Sequence, residues 1–307
     1  MTLEETIKLK LERLDTIPNQ YGKDVLETMR SIYSELLESL EQLTRDENGN
    51  IKKTQRNLAT IEDIMQDLEA IFKRSDYIQL SKDFISEFDE QADITDEFFL
   101  KQFAWTDEES FNRKALDKSK SNAYDLLASN PTVTTNLYQP VREILTNAVI
   151  AGDQYTKVVA GIRQQVQGGT IKGIELQSKL YRYAKQMAFD VFAIADRGYT
   201  QNISEDIGVE FYVYRGGLVE DSREFCKTRN GKYYHRKEVE AWGNLKRWDG
   251  KIPDTDSKTI WVYAGGYRCN HAILPTSEAV VPKDVLERNI ASGNYNPDEE
   301  TRKALGL

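Results

Sequence analysis

The sequence predicts a mainly α-helical protein with a helical hairpin near its N-terminal end and a small mixed α/β domain near its C-terminal end. Three observations carry this. Apolar residues recur at three- and four-residue spacing through the first third, which is the signature of amphipathic helices. Three further helical segments follow between Val141 and Arg197. After Asp206 the texture changes to short β-prone strings separated by glycine, asparagine and charged turns.

In chain order, Ile7, Leu11 and Leu14 begin an apolar stripe that continues through Val25, Met29, Ile32, Leu36, Leu40 and Leu43. The turn-forming run Asp46-Glu47-Asn48-Gly49-Asn50 interrupts it, and the stripe resumes at Leu58, Ile61, Met65, Leu68 and Phe72. This predicts a helical hairpin over residues 20–74, whose stripe either packs the protein's own core or forms a seam of a homo-oligomer. Polar helical segments with the aromatics Phe98, Phe99, Phe103, Trp105 and Phe111 fill 75–129. Asn130-Pro131 and Gln139-Pro140 bracket an expected linker, because proline disfavours a helical residue before it and cannot itself continue a helix. Helices are expected at Val141–Ile150, Tyr155–Gln167 and Ile171–Arg197, and strands at Val209–Tyr214 and Thr259–Tyr263. The organisation predicted is an acidic helical region at 1–130, a second helical region at 131–206, a Cys/His-containing α/β domain at 207–282 and a loosely packed tail at 283–307.

At 307 residues the chain can bury a proper core. Its formal charge of −9 is concentrated in the first 100 residues, where 23 Asp and Glu face 12 Lys and Arg. Such a surface repels phosphates, so this region points to a basic protein partner rather than to nucleic acid. No apolar run approaches the roughly 18 residues of a membrane span, and no membrane partner is expected. The opening MTLEETIKLKLERL lacks the features of a secretory signal, so the protein is expected in the cytoplasm where it is made. Two cysteines in such a chain read as reduced thiols or metal ligands and not as a disulfide framework.

Cys226, His235, Cys269 and His271 are all the cysteines and histidines of the chain, and they fall within 46 consecutive positions. Two thiolates and two imidazoles satisfy tetrahedral Zn²⁺ in a closed, structural site. The other reading is two buried thiols and two surface imidazoles, since only Cys269-x-His271 has close ligand spacing. Asn230-Gly231 is a hairpin-turn signal. Asp221 and Arg223, two apart, either pair on one face of an extended segment or are merely exposed. Gly265-Gly266 permits close backbone approach or a bulge, without the strand-to-helix context of a phosphate loop.

The string from Tyr214 to Pro275 resembles the minor head proteins of tailed phages, the phage Mu F-like head-morphogenesis family. In that family a long helix leads into a compact domain reading strand, Asp-x-Arg-x-x-Cys or -His, an Asn-Gly or Asp-Gly turn with an aromatic, and a Cys- or His-bearing segment near a proline. The matching positions are Asp221, Arg223, Cys226, Asn230, Gly231, Tyr233, Gly266, Arg268, Cys269, His271 and Pro275, and the likeness spans about residues 140–280. Where the family often ends in a Pro-x-Cys-Arg-Cys-like string, this chain has Tyr-Arg-Cys-Asn-His. The resemblance implies a non-enzymatic virion component near the portal vertex, contacting portal and major capsid or scaffold proteins, with the packaged DNA as a further partner. An alternative is a nucleic-acid-associated zinc module. A lesser one is an ADP-ribosyltransferase, since Tyr214-Arg215-Gly216 and Glu238-x-Glu240 are similar to motifs of those enzymes; the Ser-Thr-Ser-like strand between them is missing.

Overall fold

The computed structural model describes residues 1–104, 113–171 and 174–307, with the backbone alone between 170 and 176. Trp105 and Phe111 lie outside the described residues. The fold is mainly helical with a small antiparallel sheet in its C-terminal region, as the sequence predicts. Two compact units can be distinguished: Met1–Thr16, Glu87–Lys120 and Phe189–Leu307 form one, and Ile17–Ser86 with Ser121–Ala188 form the other. This division cuts across the boundaries expected at 130 and 206, because long helices contribute to both units.

In the second unit the hairpin is made by α1 (Leu3–Leu40) and α2 (Gln55–Arg74). Helix α1 runs unbroken through Pro18, so the stripe at Ile7–Leu14 and that of the hairpin belong to one helix rather than two. Val25, Met29, Ile32, Leu36 and Leu40 are fully buried, which assigns the stripe to the chain's own core. Asp46 closes the turn by accepting the Asn48 and Asn50 amides, each at 2.9 Å. Buried Asn57 pins it by donating to the Thr44 and Lys52 carbonyls. Ser39 donates to Asp67, and Arg74 pairs with Glu35, which fixes the antiparallel register.

Helix α3 (Tyr77–Phe103) and α4 (Lys114–Ala128) follow. The expected linker at 131–140 is instead helical, with α5 (Asn130–Val133), a π-helical turn (Thr134–Tyr138) and α6 (Gln139–Ala151) in succession. Pro131 and Pro140 sit at helix-start positions, where a missing N–H costs little. In the π turn the Gln139 amide reaches back to the Thr134 carbonyl, and the Asn136 carbonyl accepts from the Gln165 side chain at 3.3 Å. Helix α7 (Tyr155–Val166) matches expectation. The helix expected from Ile171 starts later: β1 (Gly169–Ile171) and β2 (Ile174–Leu176) pair antiparallel, and only then does α8 (Lys179–Asp206) begin.

The first unit holds the three-stranded sheet, in order β4 (Tyr233–His235), β3 (Phe211–Arg215), β5 (Ala272–Thr276), all antiparallel. Between these strands lie α9 (Glu224–Arg229), α10 (Arg236–Gly243) and α11 (Ile260–Tyr263). The strand expected at Thr259–Tyr263 is therefore a helical turn. Asp256 accepts the Lys258 and Thr259 amides at 2.8 Å, and this turn starts α11, whose Ile260 and Trp261 are buried. A four-residue apolar run carries no periodicity to separate the two outcomes.

Strand alternation puts Tyr212 and Tyr214 on one sheet face with Phe225, Trp242 and Trp261, and Phe211 on the other. That second face is covered by the tail, which is not loosely packed. Helix α12 (Lys283–Ala291) buries Val285 and Leu286 there, and Tyr295 meets the Phe211 ring edge-on at 4.9 Å. Helix α13 (Glu299–Ala304) closes the chain, capped by Asp298.

Candidate metal centre

Of the four expected ligands, three come together. Cys226 in α9, and Cys269 and His271 on the segment entering β5, bring their ligand atoms within 4.8 Å of one another. The two sulfurs are 3.9 Å apart, and Cys269 Sγ is 3.7 Å from His271 Nδ1. Tetrahedral zinc with bonds of about 2.3 Å to sulfur and 2.0 Å to nitrogen sets S···S at ~3.8 Å and S···N at ~3.5 Å, so both separations are compatible with a metal site. Exposures of 3% for Cys226 and 4% for each of the other two put the group in the core. His271 Nε2 is buried without a partner among the described residues.

His235 is elsewhere. Its register partner is Phe211, so it occupies the opposite sheet face, where it caps α10: Nδ1 accepts the Lys237 amide at 3.1 Å. Burial is the main reason its imidazole is held below its usual range. The expected four-ligand set is thus corrected to Cys226, Cys269 and His271, because residues of odd and even register on β3 face different cores.

The elements around the cluster position it tightly. Arg197 of α8 donates to the carbonyls of His271 at 2.9 Å, Val262 at 3.0 Å and Cys269, holding the ligand segment with one guanidinium. The ring of Tyr214 stacks on His271 with centroids 5.1 Å apart. Two glycines allow the close approach. A Cβ on Gly265 would lie 2.6 and 2.7 Å from the two sulfurs, and one on Gly216 would lie 2.7 Å from the His271 ring. Ala264 and Arg268 hold left-handed φ values of 45° and 53°, a strained path that non-glycine residues adopt only when their surroundings impose it. The contact with Cys269, then burial, pushes the Cys226 thiol up, while Cys226, His271 and Arg197 hold Cys269 well below the ordinary thiol range.

The remaining expected residues act as braces. Arg223 donates to the Tyr267 carbonyl at 2.6 Å and lies 3.9 Å from Asp249, whereas Asp221 is exposed. They do not pair, because a turn closed by the Ser222 amide on Val219 separates them from any extended segment. Asn230-Gly231 forms a turn, but from α9 into β4 and not between two strands. With Asn230 at φ −57°, ψ 132° and Gly231 at φ 75°, it is type II. Asn230 Oδ1 accepts the Gly216 amide at 3.0 Å, and the Gly231 amide donates to the Tyr214 carbonyl at 2.8 Å. Tyr233 pairs with Val213 in the sheet. Gly266, at φ 101°, passes so close to Gly250 that a Cβ would lie 1.9 Å from its carbonyl oxygen, confirming the close approach expected of the Gly-Gly pair. The Arg268 amide donates to Asp190 at 2.8 Å.

The transferase-like residues are engaged structurally. Arg215 pairs with Glu4, Glu240 pairs with Arg236, and Glu238 closes a capping box on α10 while binding Arg288 at 3.0 Å. Sequence inspection missed Arg197, Asp190 and the packing role of Gly216, whereas it expected close approach at Gly265. For Gly265 and Gly216, each in a Gly-Gly pair, the doublet was the available signal; Arg197 in a long helix offers none. Comparisons with protein-family models, with curated proteins and with solved structures give no match to this chain.

Proposed function

We propose that this chain is a structural minor head protein of a tailed phage, in which the C-terminal domain is a rigid module knit by zinc and the acidic helical hairpin is a docking arm. The observation that carries this reading is that the residues behind the resemblance, the exposed Asp221 aside, act as internal braces. Cys226, Cys269 and His271 converge in the core, Arg223 ties the start of α9 to the turn at Tyr267, Asn230 ties the turn after α9 to the end of β3, and Gly266 lets two loops touch. Chemistry-bearing side chains buried to this degree suit a closed structural site better than one that receives substrate. The acidic first third favours a basic protein partner, and the portal, capsid or scaffold proteins are the partners that the resemblance implies.

The test is quantitative mass spectrometry of gradient-purified phage particles, with empty proheads and DNA-filled heads compared. A few copies in both support a structural head component. Absence from every particle removes the virion reading and leaves the metal-knit module to be explained by another role.

A further inference from the structure

We propose that Tyr214 is the fourth ligand of the metal centre, giving a Cys226–Cys269–His271–Tyr214 set. This rests on the metal reading above and deepens it. The Tyr214 Oη lies 3.3 Å from Cys226 Sγ and 3.6 Å from Cys269 Sγ, in the core of the domain. An oxygen ligand at about 2.0 Å in a tetrahedron with sulfurs at about 2.3 Å sits ~3.5 Å from each sulfur. The four separations of 3.9, 3.7, 3.3 and 3.6 Å therefore match four of the six edges of a tetrahedron whose corners are two sulfurs, a nitrogen and an oxygen.

The surroundings fit that donor set. The absence of a side chain at Gly265 leaves the two sulfurs and the phenol oxygen free to converge, since a Cβ there would lie 2.6, 2.7 and 3.0 Å from the three atoms. Strand β3 fixes Tyr214 from behind: its amide donates to the Lys232 carbonyl and its carbonyl accepts the Gly231 amide. With the sulfurs and the phenol free of their protons, which pass to solvent, two thiolates, one phenolate and a neutral imidazole hold Zn²⁺ with one net negative charge. The Arg197 guanidinium, bonded to the carbonyls of both Cys269 and His271, lies where it offsets that charge.

The experiment is titration of the full, metal-free chain with Zn²⁺, which is itself transparent, while ultraviolet difference absorption is followed for ionised tyrosine. The wild type is expected to bind one equivalent and to develop the absorption of one tyrosinate. Tyr214→Phe, which keeps the stacked ring, is expected to bind zinc more weakly and to develop none. Zinc binding by the wild type without a tyrosinate signal would overturn the assignment of Tyr214 and leave the three-ligand site standing. Failure of the wild type to bind zinc would overturn both. If the variant does not fold, the wild-type titration still decides, because among the described residues no other tyrosine hydroxyl is in hydrogen-bond reach of either thiol.

Discussion

Replacing Lys10 by methionine should destabilise the first unit strongly, and the structure allows the loss to be worked out. Lys10 and Asp196 form an ion pair with no solvent exposure of either side chain. The ammonium also donates to Thr95 Oγ1 at 2.5 Å, and Gln91 donates to the same Asp196 oxygen at 2.9 Å. The other oxygen, Oδ2, has no partner among the described residues. Removing the ammonium leaves a buried carboxylate with hydrogen bonds from neutral groups only, which costs about 3–5 kcal/mol. Replacing both partners together, Lys10→Met with Asp196→Leu, removes both desolvation penalties and should return stability to within about 1 kcal/mol of wild type or above it. Urea unfolding followed by far-ultraviolet circular dichroism, at fixed pH and metal content, measures the cycle. A single-variant loss below about 1 kcal/mol is what a solvated surface pair gives, and would refute the picture of a dry pair.

Four other substitutions probe the C-terminal domain. Glu238→Gln, which can keep the capping box, should cost up to about 1 kcal/mol through the lost ion pair with Arg288. Burial pushes the Glu238 carboxyl up, but hydrogen bonds from Arg288, the His235 amide and Asn289 outweigh it and hold it below the ordinary 4.5. Its contribution is therefore complete above that value and lost as pH falls through the depressed one, so acid unfolding curves of wild type and variant should converge at low pH. Gly266→Ala should destabilise by at least about 1–3 kcal/mol from its left-handed backbone alone, whereas Gly217→Ala, with nothing within 4 Å of the new methyl, should be close to neutral in thermal unfolding. Tyr295→Ala should cost about 3–5 kcal/mol by uncovering Phe211; equal resistance of the tail to limited proteolysis in both proteins would contradict the packing described.

The hairpin was legible because its signal is local. A stripe of 3.6 periodicity flanking Asp46–Asn50 defines two helices whatever they pack against. The linker at 131–140 was misread because proline alone marks a break, while a helix start or a π turn with a substitute donor such as Gln165 absorbs it. Thr259–Tyr263 was too short for its composition to outweigh the turn set by Asp256. The Cys/His cluster was legible as residue types and partly as partners. His235 was miscounted because which sheet face a residue meets depends on register with β3, a non-local property. Tyr214 and Arg197 were invisible as site residues for the same reason: strand pairing and helix packing bring them to Cys269 across long stretches of chain.

Metal content of the purified full chain, measured by elemental analysis alongside thiol titration, tests the central claim most directly. One zinc per chain is expected in the wild type and in His235→Asn, with loss of the metal in Cys226→Ser, Cys269→Ser and His271→Asn. Zinc at background level in the wild type, with both thiols free and reduced, would contradict the metal centre and reduce Cys226, Cys269 and His271 to ordinary core residues.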